Sequence, residues 1–336
     1  MSLGPADAPL VTAVLEADEV PTTQHLGRSP VQIAWRRFRR DRVGVWSAII
    51  VGAFIAVAAL APVISWVYGK NPYTTYGQNT PGLLTDFGFP TGGHGGISSQ
   101  YWLGLEPGLG RDVFMQLVYG ARTSLFIAFT VSIITTVFGT LYGIVTGYLG
   151  GRVDAVGGWI VDIMLTFPSL LLIIALSPVV EDRLVSPDEQ TPTWLRFTIV
   201  ITLLSVFGWV SDARLIRGQV LSLREREFID AARMSGAGTW RIVTRELLPN
   251  LWSPILVIFS MTMPAIITSE AALAFLGVGI VEPTPDWGRM VNRGAEVYLA
   301  DPTYMIIPGA ALLVMVLSFN LLGDAVRDAL DAKGLQ

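Results

Sequence analysis

The residues with the clearest chemical purpose lie in a polar, arginine-rich segment, 218–250, between two long apolar runs. Phe228, Ile229 and Ala232 recur at i, i+1 and i+4, a spacing that predicts a short helix with one narrow apolar face. Gly236 stands where that helix would end in a left-handed residue, so a second short helix is expected after it. Such a segment at a membrane face indicates either a docking surface for a protein or an interfacial helix held on lipid headgroups.

This pattern resembles the EAA loop of ABC importer permeases, which reads E-A-A, three residues, glycine, nine residues, I-x-L-P. Residues 230–232 take the E-A-A place, Gly236 follows at the same distance, and Leu248 and Pro249 close the motif, with Pro249 expected in the first turn of the next span. Asp230 replaces the glutamate and Glu246 the isoleucine, and the spacing is unchanged.

The resemblance implies that the segment forms a coupling helix that fits a groove of an ATPase subunit. Phe228, Ile229 and Ala232 are then expected to be buried against the ATPase, with charged neighbours orienting the contact at its rim. The predicted coupling residues are Phe228, Ile229, Asp230, Ala231, Ala232, Arg233, Gly236 and Ala237.

Two carboxylates fall inside apolar runs, Glu270 in the expected fifth span and Asp162 early in the third. A carboxylate within a bilayer costs at least about 2.5 kcal/mol, so each needs a partner or a task. Glu270 either lines a translocation path or gate, together with Ser260 and Met263, or is a neutral hydrogen-bond partner of a neighbouring helix. The surrounding alanine and leucine residues favour the second interpretation. Asp162 is expected near the membrane surface, in contact with water.

No metal site is predicted. His94 lies in a run of glycines, 92–96, and has no second ligand of suitable type nearby, so a flexible turn is expected there. The chain contains no cysteine, which excludes a disulfide and a thiolate metal site.

The composition indicates what must position these residues. Hydrophobic residues make up 51% of the 336 residues and charged residues only 15%, with a mean hydropathy of +0.53, which excludes an ordinary soluble domain. Apolar stretches near the length that crosses a core of about 30 Å predict an all-α polytopic membrane protein with six transmembrane helices. The six stretches are 43–69, 123–151, 163–180, 197–211, 247–269 and 302–323.

The distribution of lysine and arginine predicts the orientation. Sixteen of the 23 lie in tails or loops on one side of the predicted spans and five on the other, so both termini and the EAA-like loop are expected to be cytoplasmic. The predicted organisation is a disordered cytoplasmic tail at 1–29, an interfacial amphipathic helix at 30–42, a permease domain at 43–326 and a cytoplasmic tail at 327–336. Within the domain lie an extracytoplasmic loop at 70–112 and the cytoplasmic coupling loop at 222–249.

Further motifs in the same order resemble the dipeptide, oligopeptide and nickel branch of these permeases, most closely its C-type subunits. They are YWLGLE at 101–106, LGRDV at 109–113, YGARTSL at 119–125, GYLGG at 147–151, FPS at 167–169, FLGVG at 275–279, PTPDWG at 283–288 and NLLGD at 320–324. Residues 105–107 depart from the Thr-Asp pair that is usual there. The resemblance covers about residues 30–333 and implies the MetI-like fold of a type I importer permease.

The resemblance implies an ATP-driven, binding-protein-dependent importer of dipeptides or short oligopeptides in a bacterial plasma membrane. The expected partners are a homologous second permease, two ATPase domains, an extracytoplasmic substrate-binding protein and the lipid bilayer, but no nucleic acid. Because the chain lacks G-x-x-x-x-G-K-[ST], ATP and magnesium are expected on the ATPase subunits, and no cofactor on this chain. The alternatives are a nickel or metal-chelate importer, an ion-coupled secondary transporter and a membrane scaffold.

Overall fold

The computed structural model describes residues 30–186, 188–189 and 191–330, so the predicted tail 1–29 and the end of the chain, 331–336, lie outside the described residues. Within the described part, the regular elements are helices, and extended residues form only isolated bridges. The helices in chain order are α1 (Pro30–Arg40), α2 (Arg42–Ala59), α3 (Ala61–Tyr68), α4 (Tyr76–Asn79), α5 (Val113–Leu149), α6 (Gly151–Thr166), α7 (Ser169–Leu184), α8 (Thr193–Leu223), α9 (Glu227–Met234), α10 (Thr239–Phe275), α11 (Trp287–Val297) and α12 (Thr303–Leu330).

Five of these helices, α2, α5, α8, α10 and α12, are long and apolar enough to cross a membrane, and α6 with α7 forms a sixth span if the bent pair counts as one. The six predicted stretches therefore each fall on a helix or helix pair. The helix ends differ from the prediction, because α5 begins at residue 113 and α8 continues to residue 223. α12 likewise runs to Leu330, so residues 327–330 are helical and not part of a separate tail.

The third span is broken, although the sequence predicted a single helix there. α6 and α7 meet at an angle of 81° on either side of Phe167 and Pro168. Proline disfavours the helical conformation of the residue before it, and Phe167 accordingly adopts an extended conformation, with φ −85° and ψ 136°.

The amphipathic helix predicted at 30–42 ends at Arg40. Asp41 separates it from the first span and caps α2, since its carboxylate accepts a hydrogen bond from the Val43 amide at 2.9 Å. On α1, the guanidinium of Arg39 lies 5.0 Å from the ring centroid of Trp35.

The bundle is held most closely where α5 crosses α8, because small residues allow the two backbones to approach. A Cβ atom at Gly139 would lie 2.9 Å from the Trp209 carbonyl oxygen, and one at Gly143 would lie 2.7 Å from that of Ala213. Neither glycine could carry a side chain without separating the helices. Small residues at such crossings are a usual means of packing helices in membranes.

The fifth span, α10, is continuous from the polar segment into the membrane, which corrects the prediction that a new helix begins near Pro249. Residues 243–247 form one π-helical turn just before the proline. Proline lacks an amide hydrogen and its ring clashes with the carbonyl four residues earlier in an α-helix. The wider turn lets the helix pass this position without ending.

At the end of the bundle opposite α9, the loop 70–112 is tied down by a buried ion pair. Arg111 Nε and Nη2 donate to Glu106 Oε2 and Oε1 at 2.5 and 2.8 Å. Both side chains are buried, and Gln116 donates to the same glutamate at 3.0 Å. Glu282, from the segment between α10 and α11, accepts from Arg111 at 3.0 Å and from Arg289 at 2.6 Å. We call the residues Glu106, Arg111, Gln116, Glu282 and Arg289 the loop-anchoring network.

Candidate functional site

The predicted break in the polar segment is present, with α9 before it and the first turn of α10 after it. Glu227 and Asp230 lie in the first turn of α9 and Arg233 in its last, the arrangement that favours a helix dipole. Gly236 follows in the left-handed region, with φ +77°.

The end of α9 is a Schellman motif. The Ala237 amide donates to the Ala232 carbonyl at 3.0 Å, and the Gly236 amide donates to the Arg233 carbonyl at 2.9 Å. Ala232 and Ala237 also pack against the same apolar cluster of the bundle, which is the hydrophobic contact that accompanies this motif. The glycine therefore fixes where the chain leaves α9.

The apolar face of α9 points into its own chain, and this corrects one part of the prediction. Ile229 is 0% exposed and packs with Ile144 of α5, Ile216 and Val220 of α8, and Leu247 of α10. An isoleucine sealed inside the subunit cannot be buried against an ATPase. Ile229 faces inward because α9 is amphipathic and lies across the ends of the membrane spans, where it buries its apolar stripe.

The outward side of α9 presents a different set of apolar residues. Phe228, Ala231 and Met234 are exposed and recur at i, i+3 and i+6, so they form one ridge. Met234 is 84% exposed, and Trp240, in the first turn of α10 after the break, is 79% exposed. We call these four residues the α9 ridge. Met234 and Trp240 were absent from the predicted coupling residues. The helical spacing of Phe228 and Ala231 extends to Met234, so the sequence did contain a signal for that residue.

The charged residues of α9 lie at the edge of the ridge. Asp230 and Arg233 form an ion pair of 3.2 Å in which both side chains are exposed, so the pair adds little stability. The Arg233 guanidinium also lies 5.7 Å from the ring centroid of Tyr148 at the end of α5. Both groups are thus available to contact a partner's rim.

Beneath α9, one ion pair and one hydrogen bond join the ends of three spans. Arg217 of α8 contacts Asp154 of α6 through two hydrogen bonds of 2.5 and 3.0 Å. Arg224 Nη1 donates to the Gly147 carbonyl of α5 at 2.9 Å. A displacement of α9 is therefore applied to a base in which α5, α6 and α8 are joined.

Glu270 is buried near the far end of α10, at 2% exposure, beside Ser124 of α5 and Asp286, the residue that caps α11. Each of the three keeps a buried oxygen without a hydrogen-bond partner within the described part of the chain. Two carboxylates buried side by side repel each other, so this is a costly arrangement within the bundle. The sequence analysis did not identify Asp286 as the partner.

The other two predicted pathway residues share the interior of the chain with Glu270. Met263 is buried among apolar side chains in the interior of the bundle. Ser260 is half-buried, and its hydroxyl donates to the Val257 carbonyl at 2.8 Å. This burial favours the interpretation of Glu270 as an interhelical polar contact, and the pathway role of the three residues stays a prediction. Asp162 is exposed, as expected for a residue near the membrane surface.

We expect Glu270→Gln to preserve assembly and to lower transport by no more than about threefold, because a neutral amide of the same size can keep an interhelical polar contact. The measurement is substrate uptake by vesicles that contain equal amounts of assembled complex. Loss of most uptake in a normally assembled complex would instead place Glu270 in the path or its gate.

The structure shows a further carboxylate, Asp212, within the fourth span, which the sequence analysis had ended at residue 211. Asp212 lies within α8 and is buried between three helices. Thr136 of α5 and Thr262 of α10 direct their hydroxyls at its two oxygens, at 3.5 and 3.4 Å. Asp212 therefore connects the three helices that also support α9.

Comparison with known proteins agrees with this architecture. Residues 139–334 match the family described as "Binding-protein-dependent transport system inner membrane component", and residues 29–84 match the "N-terminal TM domain of oligopeptide transport permease C". One chain of the methionine ABC transporter MetNI, solved in inward-facing conformations, superposes with a TM-score of 0.52 at 20% identity, over 64% of this chain and 96% of that one. The all-α, MetI-like fold is thereby confirmed.

Curated relatives align over nearly the whole chain. The dipeptide transport system permease protein DppC of Alkalihalophilus pseudofirmus is 34% identical over 93% of both chains. The oligopeptide transport system permease protein OppC of Bacillus subtilis is 33% identical over 89% of this chain and 88% of its own length. The glutathione transport system permease protein GsiD of Pectobacterium atrosepticum is 34% identical over 91% and 92%. This chain is therefore a multi-pass membrane permease that belongs to the family of binding-protein-dependent transport system inner membrane components.

Proposed function

We propose that this chain is one of two permease subunits of an ATP-driven importer of dipeptides or short oligopeptides. It forms half of the translocation path, and a homologous second permease forms the other half. Relatives named for dipeptide, oligopeptide and glutathione transport support a short peptide as substrate over a metal chelate. An extracytoplasmic binding protein delivers the peptide, and two ATPase domains bind ATP and magnesium.

The observation that carries this proposal is the α9 ridge on its buried base. A helix that needed only to lie on lipid would not require a Schellman end and a fully buried isoleucine to fix its angle. The exposed ridge of Phe228, Ala231, Met234 and Trp240 has the large apolar side chains that a docking groove accepts.

Coupling then follows from the contacts beneath the ridge. Closure of the ATPase domains displaces α9, and Ile229 transmits this movement to α5, α8 and α10, because all three contact the same cluster. The ion pair of Arg217 with Asp154 and the hydrogen bond of Arg224 to the Gly147 carbonyl make the connected helix ends move together. Rigid-body movement of the spans would alternate access between the two sides of the membrane.

The proposal includes an orientation in which α9 and both termini are cytoplasmic and the loop 70–112 is extracytoplasmic. The excess of lysine and arginine on the α9 side supports this orientation. α9 and the loop 70–112 lie at opposite ends of the bundle, which fits an ATPase on one side and a binding protein on the other.

One vesicle experiment tests both function and orientation. The complex is reconstituted with Gly93→Cys in this otherwise cysteine-free chain, and an impermeant maleimide reports which side carries the loop. We expect peptide uptake only with binding protein on the maleimide-accessible side and ATP on the opposite side, and no effect of dissipating ion gradients. Uptake that follows an ion gradient without ATP would support a secondary transporter, and labelling from the ATP side would overturn the orientation.

A further inference from the structure

A cavity lies between the first turns of α5 and α8, at the end of the bundle that holds the loop 70–112. Its volume is about 630 Å³, within the range usual for small-molecule sites. We call it the Arg122 pocket, and the side chains that matter to its chemistry are Tyr73, Tyr119, Arg122, Phe126, Trp194 and Phe197. None of the residues that line it belongs to α9.

Arg122 supplies the positive charge of this pocket and has no carboxylate partner among the described residues. Most other arginines at this end are paired. Arg111 and Arg289 belong to the loop-anchoring network, Arg196 lies 2.6 Å from Glu181, and Arg293 lies 2.5 Å from Glu296. An exposed guanidinium in a cavity, with no acid of the described residues paired to it, is suited to an anionic ligand.

The walls of the pocket are aromatic. Tyr73 and Tyr119 pack edge to face with their ring centroids 6.2 Å apart, and Phe126 and Phe197 do so at 6.0 Å. Burial raises the pKa of Tyr73, and the neighbouring charge of Arg122 opposes that change. Tyr73 therefore stays a neutral hydrogen-bond donor beside the guanidinium at physiological pH.

We propose that the Arg122 pocket receives the C-terminal carboxylate of a short peptide before the peptide enters the path. The guanidinium would bind the carboxylate through two parallel hydrogen bonds, and the aromatic pairs would hold the C-terminal side chain. The inference rests on the proposed function and adds to it the group that recognises the substrate. It also predicts a preference for apolar or aromatic C-terminal residues.

Arginine modification tests the contact directly. The assembled complex in lipid nanodiscs is treated with phenylglyoxal, and modification at Arg122 is followed by mass spectrometry with alanyl-phenylalanine or its C-terminal amide present. We expect the dipeptide to slow modification of Arg122 and the amide to have little effect, with no protection of Arg183, an exposed arginine outside the pocket that has no ion pair within the described part of the chain. No protection, or equal protection by the amide, would overturn the inference. The lipid is the same in every arm, so a bound phospholipid headgroup cannot produce the difference.

Substitution provides a second measurement. We expect Arg122→Gln to lower alanyl-phenylalanine uptake about tenfold, since a charge-assisted hydrogen bond is lost at a partly solvated site. Arg122→Lys, which keeps the charge without the planar fork, should lose less, and the matched charge removal Arg183→Gln should change nothing. If the unmodified complex takes up no dipeptide, the proposed function fails. If it does, and Arg122→Gln matches it, only this inference fails.

Discussion

Gly236→Val should lower both binding-protein-stimulated ATP hydrolysis and peptide transport by roughly tenfold while the protein still inserts and assembles. Gly236 has φ +77°, and a side chain there would meet no atom within 4 Å, so the substitution acts through the backbone alone. A left-handed conformation costs an ordinary L-residue about 1–2 kcal/mol, and branching at Cβ adds to that cost. Valine would therefore open the Schellman end and turn the α9 ridge away from its partner.

Two matched variants make this result specific. Gly238→Val adds the same side chain two residues later, where φ is −71° and no atom lies within 4 Å, so it should be tolerated. Gly236→Asn should retain most activity, because asparagine enters the left-handed region more readily. The measurement is ATP hydrolysis with loaded binding protein, alongside uptake, in reconstituted vesicles. Wild-type levels of both in correctly assembled Gly236→Val would show that this segment is not the coupling element.

Ala232→Glu should have a similar effect for a different reason. Ala232 is half-buried against the cluster beneath α9, so a carboxylate there would lift the helix from its own bundle. The sequence analysis had instead expected Ala232 to be buried against the ATPase.

The coupling segment shows what local sequence can predict. Gly236, the short helix before it and the break after it depend on interactions within about six residues, and the structure has all three. The direction of the apolar face does not depend on local interactions. Ile229 points inward because the last turns of α5 and α8 and the early turns of α10 lie beneath it, and no pattern within the segment contains that information.

The membrane spans show a similar limit. Apolar stretches locate the helices, because a bilayer requires about 20 apolar residues, but a helix can continue into water. α8 therefore extends past Ser211, and Asp212 becomes a buried contact between helices. The proline at position 168 could have predicted a break at Phe167, because the residue before a proline disfavours the helical conformation. The 81° angle depends on packing.

Contacts between distant segments were beyond sequence reasoning. Glu106 stands where the family pattern has aspartate, and its carboxylate binds Arg111. The second carboxylate that binds Arg111 belongs to Glu282, which is 176 residues from Glu106 in the chain. The pairing of Glu270 with Asp286 and the pocket around Arg122 likewise depend on where α11 and α8 come to lie.

Arg111→Met should release the loop 70–112 from the bundle. The side chains of Arg111 and Glu106 are 3% and 0% exposed, so removal of the arginine leaves a buried carboxylate with the neutral groups of Gln116 and Tyr304 beside it and no cation bound to it among the described residues. Breaking a buried pair in this way costs about 3–5 kcal/mol. The lower bound of that cost corresponds to a factor of at least roughly 100 in an equilibrium constant. We therefore expect this loop to open at least about 100-fold more often.

The absence of cysteine from the chain allows this opening to be measured at one position. Leu105→Cys introduces a thiol at a residue that is buried in the same loop, and its reaction with maleimide reports local unfolding. Arg111→Met should accelerate that reaction at least about 100-fold, while Glu282→Gln should accelerate it less than about fivefold because Glu282 is 48% exposed. Glu106→Gln combined with Arg111→Met should restore much of the protection, since no buried charge is then unpaired. Equal labelling of Arg111→Met and its parent would show that the loop is held by its apolar contacts and that the ion pair contributes nothing to its anchoring.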